Sequence, residues 1–290
     1  MWSALDILRP LNCLMAGVGV MVGALLSMKV LDPMILAAFA AAFVITGAGN
    51  AINDFFDFES DRINRPKRPI PSGRISRRYA LFFSIVLFAA GILLSAQINW
   101  LAFIIALVNS LVLVVYSLSL QNKVLLGNVA VAYLGGSTFL YGGAAAGNIA
   151  LPLILAFMAS LATLSREIVK DLEDIEGDRR SFIKKMASRV RESFADRFRV
   201  GPDGIKMKYK TIYAILIASF SLWLSVVISL APYMWGLLGI AYLVPVLVTD
   251  GLLILTSYIL IRRRNYRVVS RLLKICMALG LISFLIGIVF

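Results

Sequence analysis

The sequence contains no histidine among its 290 residues. This absence excludes histidine-based metal sites, Ser-His-Asp hydrolysis and haem ligation by histidine. Only two cysteines are present, and both fall inside apolar segments. We therefore expect Cys13 and Cys276 to be buried packing thiols rather than a disulfide or a metal site.

Charged residues are also scarce. They make up 16% of the chain, whereas a typical soluble domain carries about 25%. Hydrophobic residues account for 60% of the chain. The net charge of +13 does not indicate nucleic-acid binding, because the cations lie in short blocks between apolar runs. The composition therefore predicts a multi-pass protein of the cell membrane.

Nine apolar segments are long enough to cross a bilayer as helices, since about 20 residues span a hydrocarbon core of roughly 30 Å. The predicted fold is an all-α polytopic membrane protein with nine transmembrane helices in a single domain, 1–290. Cytoplasmic loops are predicted at about 53–78, 169–211 and 262–271. The predicted spans are 11–28, 34–52, 79–97, 101–118, 125–146, 151–168, 212–230, 235–261 and 272–290.

The distribution of cations predicts the orientation. With nine spans, Lys29 alone falls on one side of the bilayer, and the other 28 of the 29 Lys and Arg residues fall on the opposite side. Cytoplasmic loops carry the excess of cations in membrane proteins. We therefore expect the charged loops and the N-terminus to be cytoplasmic and the C-terminus to lie outside.

Two clusters of acidic residues follow the second and sixth predicted spans, on the same side of the membrane. Within each cluster, spacings of three and four residues place the side chains on one face of a helix. Clustered carboxylates repel one another unless a cation compensates them, and Mg²⁺ prefers such oxygen ligands. A solvated, charged helix end is the alternative, but it does not account for two matched clusters. The predicted metal ligands are Asp54, Asp57, Asp61, Asp171, Asp174 and Asp178, with Asn53 beside the first cluster.

A proline-rich stretch of cations follows the first cluster over residues 62–74. The prolines prevent helix formation and hold Arg65, Lys67 and Arg68 near the acids. Guanidinium groups suit bidentate contacts with phosphate. We interpret the acids, a metal ion and these cations as a clamp for a diphosphate group.

These motifs resemble those of the UbiA superfamily of intramembrane prenyltransferases, and the resemblance covers nearly the whole chain. It implies a bundle of nine helices around a central cavity. Within the superfamily, the loop 64–76 is most similar to that of archaeal digeranylgeranylglyceryl phosphate synthases. The segments that carry the resemblance are NDxxDxxxD at 53–61, DxxDxxxD at 171–178, the Arg/Pro-rich stretch at 65–73 and Arg9-Pro10-x-Asn12 before the first span.

The sequence departs from the family pattern at two places. Family members usually show Tyr-x-x-x-x-Lys after the fourth span, and here Tyr116 is present but Gln121 occupies the lysine position. Lys123 follows two residues later and is a candidate to supply the charge. The usual Gly-x-x-Thr-Leu-Pro is replaced by 179–210, where we expect a basic amphipathic helix on the lipid surface or, alternatively, a lid.

The resemblance implies Mg²⁺-dependent transfer of a geranylgeranyl group from its diphosphate to a lipid acceptor, with release of pyrophosphate. The expected acceptor is geranylgeranylglyceryl phosphate, which makes the reaction a step of archaeal ether lipid biosynthesis. The catalytic residues that it implies are Arg65, Lys67, Arg68, Tyr116 and Lys123. The implied substrate-binding residues are Arg9, Asn12, Asn53, Arg74 and Tyr141.

Two other functions stay open at the level of sequence. An aromatic acceptor, such as 4-hydroxybenzoate or a quinone precursor, would need only one carboxylate contact, and residue counts do not exclude it. A cation-coupled transporter would also place acids near helix ends, although transporters bind their substrates near the midplane. Asp250 lies inside the eighth span, where a charged residue is usually functional or paired. We expect no nucleic-acid partner and no obligate protein partner.

Overall fold

The structure is a computed structural model that describes residues 2–27, 33–121, 123–189 and 202–290, with side chains described except at 2–4, 124, 176–189 and 202–210. Over these ranges the chain forms α-helices joined by short turns, and one π-helical turn, Tyr116–Leu120. The helices are α1 (Trp2–Leu8), α2 (Pro10–Leu25), α3 (Pro33–Phe56), α4 (Phe58–Asn64), α5 (Arg77–Ile98), α6 (Trp100–Val115), α7 (Val124–Ala146), α8 (Ala150–Arg189), α9 (Pro202–Ser229), α10 (Ala231–Met234), α11 (Ile240–Arg262) and α12 (Tyr266–Val289).

Eight of the described helices are long and apolar enough to cross a membrane: α3, α5, α6 with the π-helical turn, α7, α8, α9, α11 and α12. The predicted first span corresponds to α2, which has only 16 residues and is about 24 Å long at 1.5 Å per residue. This length is less than a hydrocarbon core of roughly 30 Å. The all-helical, multi-span prediction is confirmed, while a crossing by α2, and with it the count of nine spans, stays a prediction.

Two of the predicted cytoplasmic loops are largely helical. Helix α8 runs for 40 residues, so the second acid cluster lies on the same continuous helix as the sixth span. Helix α12 begins at Tyr266 rather than at 272 and leaves only 263–265 as a connection. The sequence has no proline between Pro152 and Pro202, and a helix once begun extends at little entropic cost. Of the predicted amphipathic segment, 190–201 lies outside the described residues.

The glycine-rich fifth predicted span forms one continuous helix, α7, because it packs closely on α2. A Cβ atom at Gly142 would lie 1.9 Å from the carbonyl oxygen of Val20, and one at Gly23 would lie 2.0 Å from that of Phe139. Glycine permits this close backbone contact because it has no Cβ atom. Small residues allow the same close approach between membrane helices in general. This contact offsets the low helix propensity of glycine.

The helices form two groups around a cavity. One hydrophobic core lies among α3, α5, α6 and α7, and a second lies among α8, α9, α11 and α12. A third cluster, which includes Tyr242 and Phe284, joins α2 and α8 to α11 and α12. The cavity between these groups has a volume of about 860 Å³ and a largely apolar lining. Cys13 and Cys276 are both free and buried, as predicted.

Candidate active site

The first acid cluster lies where α3 ends and α4 begins. The backbone amide of Asp57 donates to the carbonyl of Asn53 at 2.9 Å, and that of Asp61 donates to the carbonyl of Asp57 at 2.8 Å. Hydrogen bonds between residues four apart therefore continue through the break between the two helices. This continuity places Asn53, Asp57 and Asp61 on one face, as their spacing predicts.

Two carboxylates of the first cluster are buried and paired with arginines. Asp54 is 3% exposed and Asp61 is 5% exposed. Arg9 and Arg68 both form ion pairs with Asp54, with Arg68 Nη1 3.2 Å from Asp54 Oδ1. Arg68 also forms an ion pair with Asp61. Such partners are needed because an unpaired charge away from water is strongly destabilising.

The third carboxylate of this cluster, Asp57, has a neutral partner. Gln121 Nε2 donates to both carboxylate oxygens of Asp57, at 2.9 and 3.0 Å. Gln121 Oε1 accepts a hydrogen bond from Asn53 Nδ2 at 2.7 Å. The position that carries lysine in the family pattern is thus occupied by an amide that binds the first cluster directly. Sequence analysis missed this contact, and the family pattern was the only signal that marked the position.

The second acid cluster, on α8, is more open. Asn128 Nδ2 donates to Asp171 Oδ2 at 2.8 Å, whereas Asp174 is exposed. Asp178 lies on α8, but its side chain is outside the described residues. Asn128 was not among the predicted site residues, and only the structure shows its contact with the second cluster.

The segment 116–128, which we call the α6–α7 corner, brings the two clusters together. Gln121 contacts the first cluster, and Asn128 contacts the second. The corner closes tightly at Gly127, where a Cβ atom would lie 2.8 Å from the carbonyl oxygen of Leu120. Both acid clusters therefore lie at the same end of the bundle, as expected from their positions after even-numbered spans.

Two buried isoleucines anchor the proline-rich loop 64–76. Ile70 and Ile75 are 4% and 7% exposed and pack against Ile7 of α1. Gly73 adopts a φ of +76°, a left-handed conformation that favours glycine. Ser76 then begins α5 by accepting a hydrogen bond from the backbone amide of Tyr79 at 3.2 Å. The loop therefore has a defined shape beside the acids.

The cations of this loop differ in position. Arg68 reaches the acids, as described above, while Arg65 and Lys67 are exposed. Arg74, predicted to bind substrate, forms an ion pair with Asp6 at 2.7 Å and donates to the Lys67 carbonyl at 2.8 Å. Among the three predicted catalytic cations of the loop, the described contacts join only Arg68 to the acid cluster.

Two further predicted cations flank the site. Arg9, predicted as a substrate-binding residue, forms an ion pair with Asp54. Its φ of +52° is left-handed, which costs a non-glycine residue roughly 1 to 2 kcal/mol and marks a position that its surroundings hold in place. Lys123 is exposed immediately before α7.

The cavity approaches the first acid cluster at one end. Its lining includes Asn12, Asn50 and Tyr116, and Asn50 lies one helical turn before Asp54 on α3. Tyr141 also lines the cavity, is 3% exposed, and has its hydroxyl 2.7 Å from the hydroxyl of Ser95. The ring of Tyr141 therefore forms part of the wall while its hydroxyl is engaged elsewhere.

Asp250 lies in the cavity wall, far from the acid clusters. It is 4% exposed, and its Oδ2 lies 2.7 Å from the hydroxyl of Ser229. Tyr242 donates to the carbonyl of Ser229 at 2.6 Å and thereby fixes this partner. Twelve residues, or about 18 Å of helix, separate Asp250 from Arg262 at the end of α11. The sequence alone named no partner for Asp250, and the structure shows that the hydroxyl group of Ser229 is one.

The donor chemistry of the acid clusters suits a divalent cation. Mg²⁺ usually takes one or two carboxylates and completes its shell with water and phosphate oxygens. Within the described residues, no three His, Cys, Asp or Glu side chains are close enough to hold an ion as a group. This is consistent with the pairing of Asp54 and Asp61 with arginines. One or two carboxylates together with a diphosphate fit the ion better than a closed protein cage.

Together, the fold and the site define a multi-pass membrane protein with an acidic, cation-flanked site beside an apolar intramembrane cavity. Residues 16–282 match the UbiA prenyltransferase family, and the chain belongs to that family.

Several relatives match the chain over nearly its full length. The digeranylgeranylglyceryl phosphate synthase of Methanopyrus kandleri is 39% identical over 286 residues, which cover 98% of each chain. That of Methanococcus maripaludis is 39% identical over 292 residues, covering 98% of this chain and 97% of the relative.

Solved structures share the fold. One of a digeranylgeranylglyceryl phosphate synthase in membranes has a TM-score of 0.85 at 34% identity, and the match covers 99% of this chain and 98% of that one. A UbiA homologue from Archaeoglobus fulgidus, bound to GPP and Mg²⁺, has a TM-score of 0.59 at 17% identity, covering 99% of this chain and 100% of its own.

Proposed function

We propose that this protein transfers a geranylgeranyl group from geranylgeranyl diphosphate to geranylgeranylglyceryl phosphate and releases pyrophosphate. The observation that carries the proposal is the α6–α7 corner, which contacts both acid clusters beside an apolar cavity. The full-length similarity to digeranylgeranylglyceryl phosphate synthases supports the choice of the glyceryl lipid over an aromatic acceptor.

The acid clusters and Arg68 are the proposed diphosphate site. Bound Mg²⁺ would supply charge neutralisation of the diphosphate. Arg68 lies beside Asp54 and Asp61, so a diphosphate held at these acids meets its guanidinium group, which stabilises the charge of the leaving group. Arg9 approaches the same acid, and the exposed Arg65 and Lys67 add positive charge. The proposed metal-holding residues are Asp54, Asp57, Asp61, Asp171, Asp174 and Asp178.

The cavity is the proposed site of the prenyl tail. Its apolar lining excludes water, which protects a developing allylic cation from hydrolysis. Tyr116 lines the cavity five residues before Gln121, and the face of an aromatic ring attracts cations. Tyr141 contributes a second ring to the same wall.

The acceptor's phosphate requires cations beyond those at the diphosphate. Arg74 is exposed, and its ion pair with Asp6 is between groups that are 44% and 52% exposed. Because exposed pairs are weak, Arg74 can exchange Asp6 for a phosphate group. Asn12 is the other proposed contact of the acceptor, whereas the exposed Lys123 is proposed to stabilise the charge of the leaving diphosphate.

The proposed topology has nine crossings in a single domain, with α2 as the first. Cations then lie almost entirely on the side of the acid clusters, which the positive-inside rule makes cytoplasmic. The N-terminus is cytoplasmic and the C-terminus outside in this arrangement. The described parts of the segment 179–210, at 179–189 and 202–210, are helical and follow the second cluster on the cytoplasmic side in this arrangement.

The test measures pyrophosphate release by the purified protein in lipid vesicles with geranylgeranyl diphosphate and Mg²⁺. Separate reactions contain geranylgeranylglyceryl phosphate, 4-hydroxybenzoate or no acceptor. We expect release only with the glyceryl lipid, and its loss when EDTA removes the metal. Asp57→Asn should lower release by about 100-fold or more, as expected for a group acting on transition-state charge.

Glu59→Gln is the matched control, since Glu59 is exposed on α4 between Asp57 and Asp61. This variant should retain full release. Release with 4-hydroxybenzoate instead of the glyceryl lipid would keep prenyl transfer and overturn the acceptor. No release with either acceptor, from folded protein, would contradict the proposal.

A further inference from the structure

The three carboxylates of the first acid cluster have chemically different partners. Asp54 and Asp61 are held by arginines, whose positive charges compensate them. Asp57 is held by the amide of Gln121. An amide donates hydrogen bonds but carries no net charge. Asp57 is therefore oriented by the protein without being neutralised by it.

The backbone conformation of the preceding turn determines where Gln121 lies. The backbone amide of Gln121 donates to the carbonyl of Tyr116 at 3.0 Å, a bond between residues five apart that closes the π-helical turn Tyr116–Leu120. Such turns are rare and occur frequently at functional sites. The turn follows α6 and places the Gln121 side chain against Asn53 near the end of α3 and against Asp57, which precedes α4.

Both the nitrogen and the oxygen of the Gln121 side-chain amide form hydrogen bonds. Its nitrogen contacts both oxygens of Asp57, while its oxygen accepts from Asn53 on the same helical face. These two partners fix the orientation of the amide, because exchanging its nitrogen and oxygen would bring the Gln121 oxygen against the carboxylate oxygens of Asp57. The two partners therefore hold Gln121 so that it presents donors to Asp57.

We propose that Gln121 is a positioning residue that orients Asp57 while leaving its negative charge free, so that Asp57 is the carboxylate of the first cluster that first receives the divalent cation. This inference rests on the proposed function for the identity of the ion. Asp54 and Asp61 become available only when their arginines move, whereas Asp57 can bind a cation without displacing a charged partner.

The test is a titration of the purified protein with Mn²⁺, without substrate, followed by electron paramagnetic resonance. Mn²⁺ is a suitable probe because carboxylate and water ligands suit it as they suit Mg²⁺. We expect Gln121→Lys to weaken Mn²⁺ binding by about tenfold or more, the range found for residues that orient metal ligands. In this variant an ammonium group competes with the ion for Asp57.

Gln121→Ala removes the orientation but adds no charge, and it should weaken Mn²⁺ binding less than Gln121→Lys does. Ser119→Ala is the matched control, because Ser119 is exposed on the same π-helical turn and its hydroxyl contacts only the local backbone among the described residues. It should bind Mn²⁺ as the wild type does. Unchanged affinity in both Gln121 variants would overturn the inference.

The same preparations distinguish this inference from the proposed function. If the wild type releases pyrophosphate and both Gln121 variants bind Mn²⁺ normally, the positioning role is wrong and prenyl transfer stands. If the wild type releases none but both Gln121 variants lose Mn²⁺ affinity, the positioning role stands and the proposed reaction is wrong. A thermal unfolding curve for each variant verifies its fold, which we expect to survive because Gln121 is exposed.

Discussion

The two acid clusters of this protein are held in different ways. The first lies at a break between α3 and α4, and each of its three carboxylates contacts a donor from another segment of the chain. The second lies on one uninterrupted helix, α8, where Asn128 holds Asp171 and Asp174 faces solvent. The first cluster is therefore part of the packed structure, and the second is presented by a helix that would form without it.

This difference separates two demands on an acidic site. Buried carboxylates must be compensated for the chain to fold, whereas exposed ones need only the correct spacing. The first cluster must therefore be paired for the chain to fold, in addition to its proposed role in binding. The second cluster has only its proposed role in binding.

Charge removal in the two clusters should have the largest effects and should separate these roles. Asp54→Asn removes the carboxylate that pairs with Arg9 and leaves Arg68 with Asp61 alone, so we expect a loss of about 3 kcal/mol in the free energy of unfolding. Pyrophosphate release should also fall by about 100-fold or more. Both are measured on protein in lipid or detergent, by thermal or denaturant unfolding and by the release assay.

Asp174→Asn is the counterpart in the second cluster. It should lower release to a similar extent with no loss of stability, because Asp174 is exposed. Equal destabilisation by the two variants would remove the distinction between the clusters.

A smaller effect is expected at the contact that holds the second cluster. Asn128→Ala removes the hydrogen bond to Asp171, and residues that orient metal ligands typically contribute 10- to 100-fold to affinity or activity. We expect a loss of release in about this range, with partial recovery at high Mg²⁺ concentration. Asn99→Ala, which removes the cap of α6 away from the acids, should lower stability without changing the Mg²⁺ dependence. If high Mg²⁺ concentration does not restore pyrophosphate release by Asn128→Ala, Asn128 does not have an orienting role.

The smallest effect is expected at the periphery of the first cluster. Arg74→Ala breaks an exposed ion pair with Asp6, which contributes less than about 1 kcal/mol to stability. If Arg74 binds the acceptor's phosphate, the KM for the glyceryl lipid rises while that for geranylgeranyl diphosphate does not. Asp6→Asn breaks the same ion pair but keeps the arginine, and it should leave both KM values unchanged. A change only in the KM for geranylgeranyl diphosphate would indicate that Arg74 binds that substrate and not the acceptor.

Much of the fold could be predicted because lipid imposes a simple rule. Long apolar runs must form helices to satisfy their backbone groups, and eight of the nine predicted spans follow. The ends of helices were less predictable. Helix α8 continues past its apolar segment to Arg189, and α12 begins within a cluster of cations, because helical hydrogen bonding does not stop where hydropathy changes.

The candidate site was predicted in its composition but not in its contacts. Spacing placed the acids on helix faces, but it gave no sign that Arg9, a predicted substrate-binding residue, forms an ion pair with Asp54. Gln121 was noticed only as a departure from a family pattern, although it contacts two members of the first cluster. Neither contact has a sequence signal, since 45 and 64 residues separate the partners Arg9–Asp54 and Asp57–Gln121.

The sequence by itself determined that the helices are those of a membrane protein, that there are two acid clusters and that both lie at the same end of the helical bundle. These properties follow from local composition and from the period of the helix. Only the tertiary structure decided which carboxylates are paired with cations and which one is left with a neutral partner. That choice depends on close approaches such as Gly127 against Leu120 and Gly142 against Val20, which determine how distant helices meet.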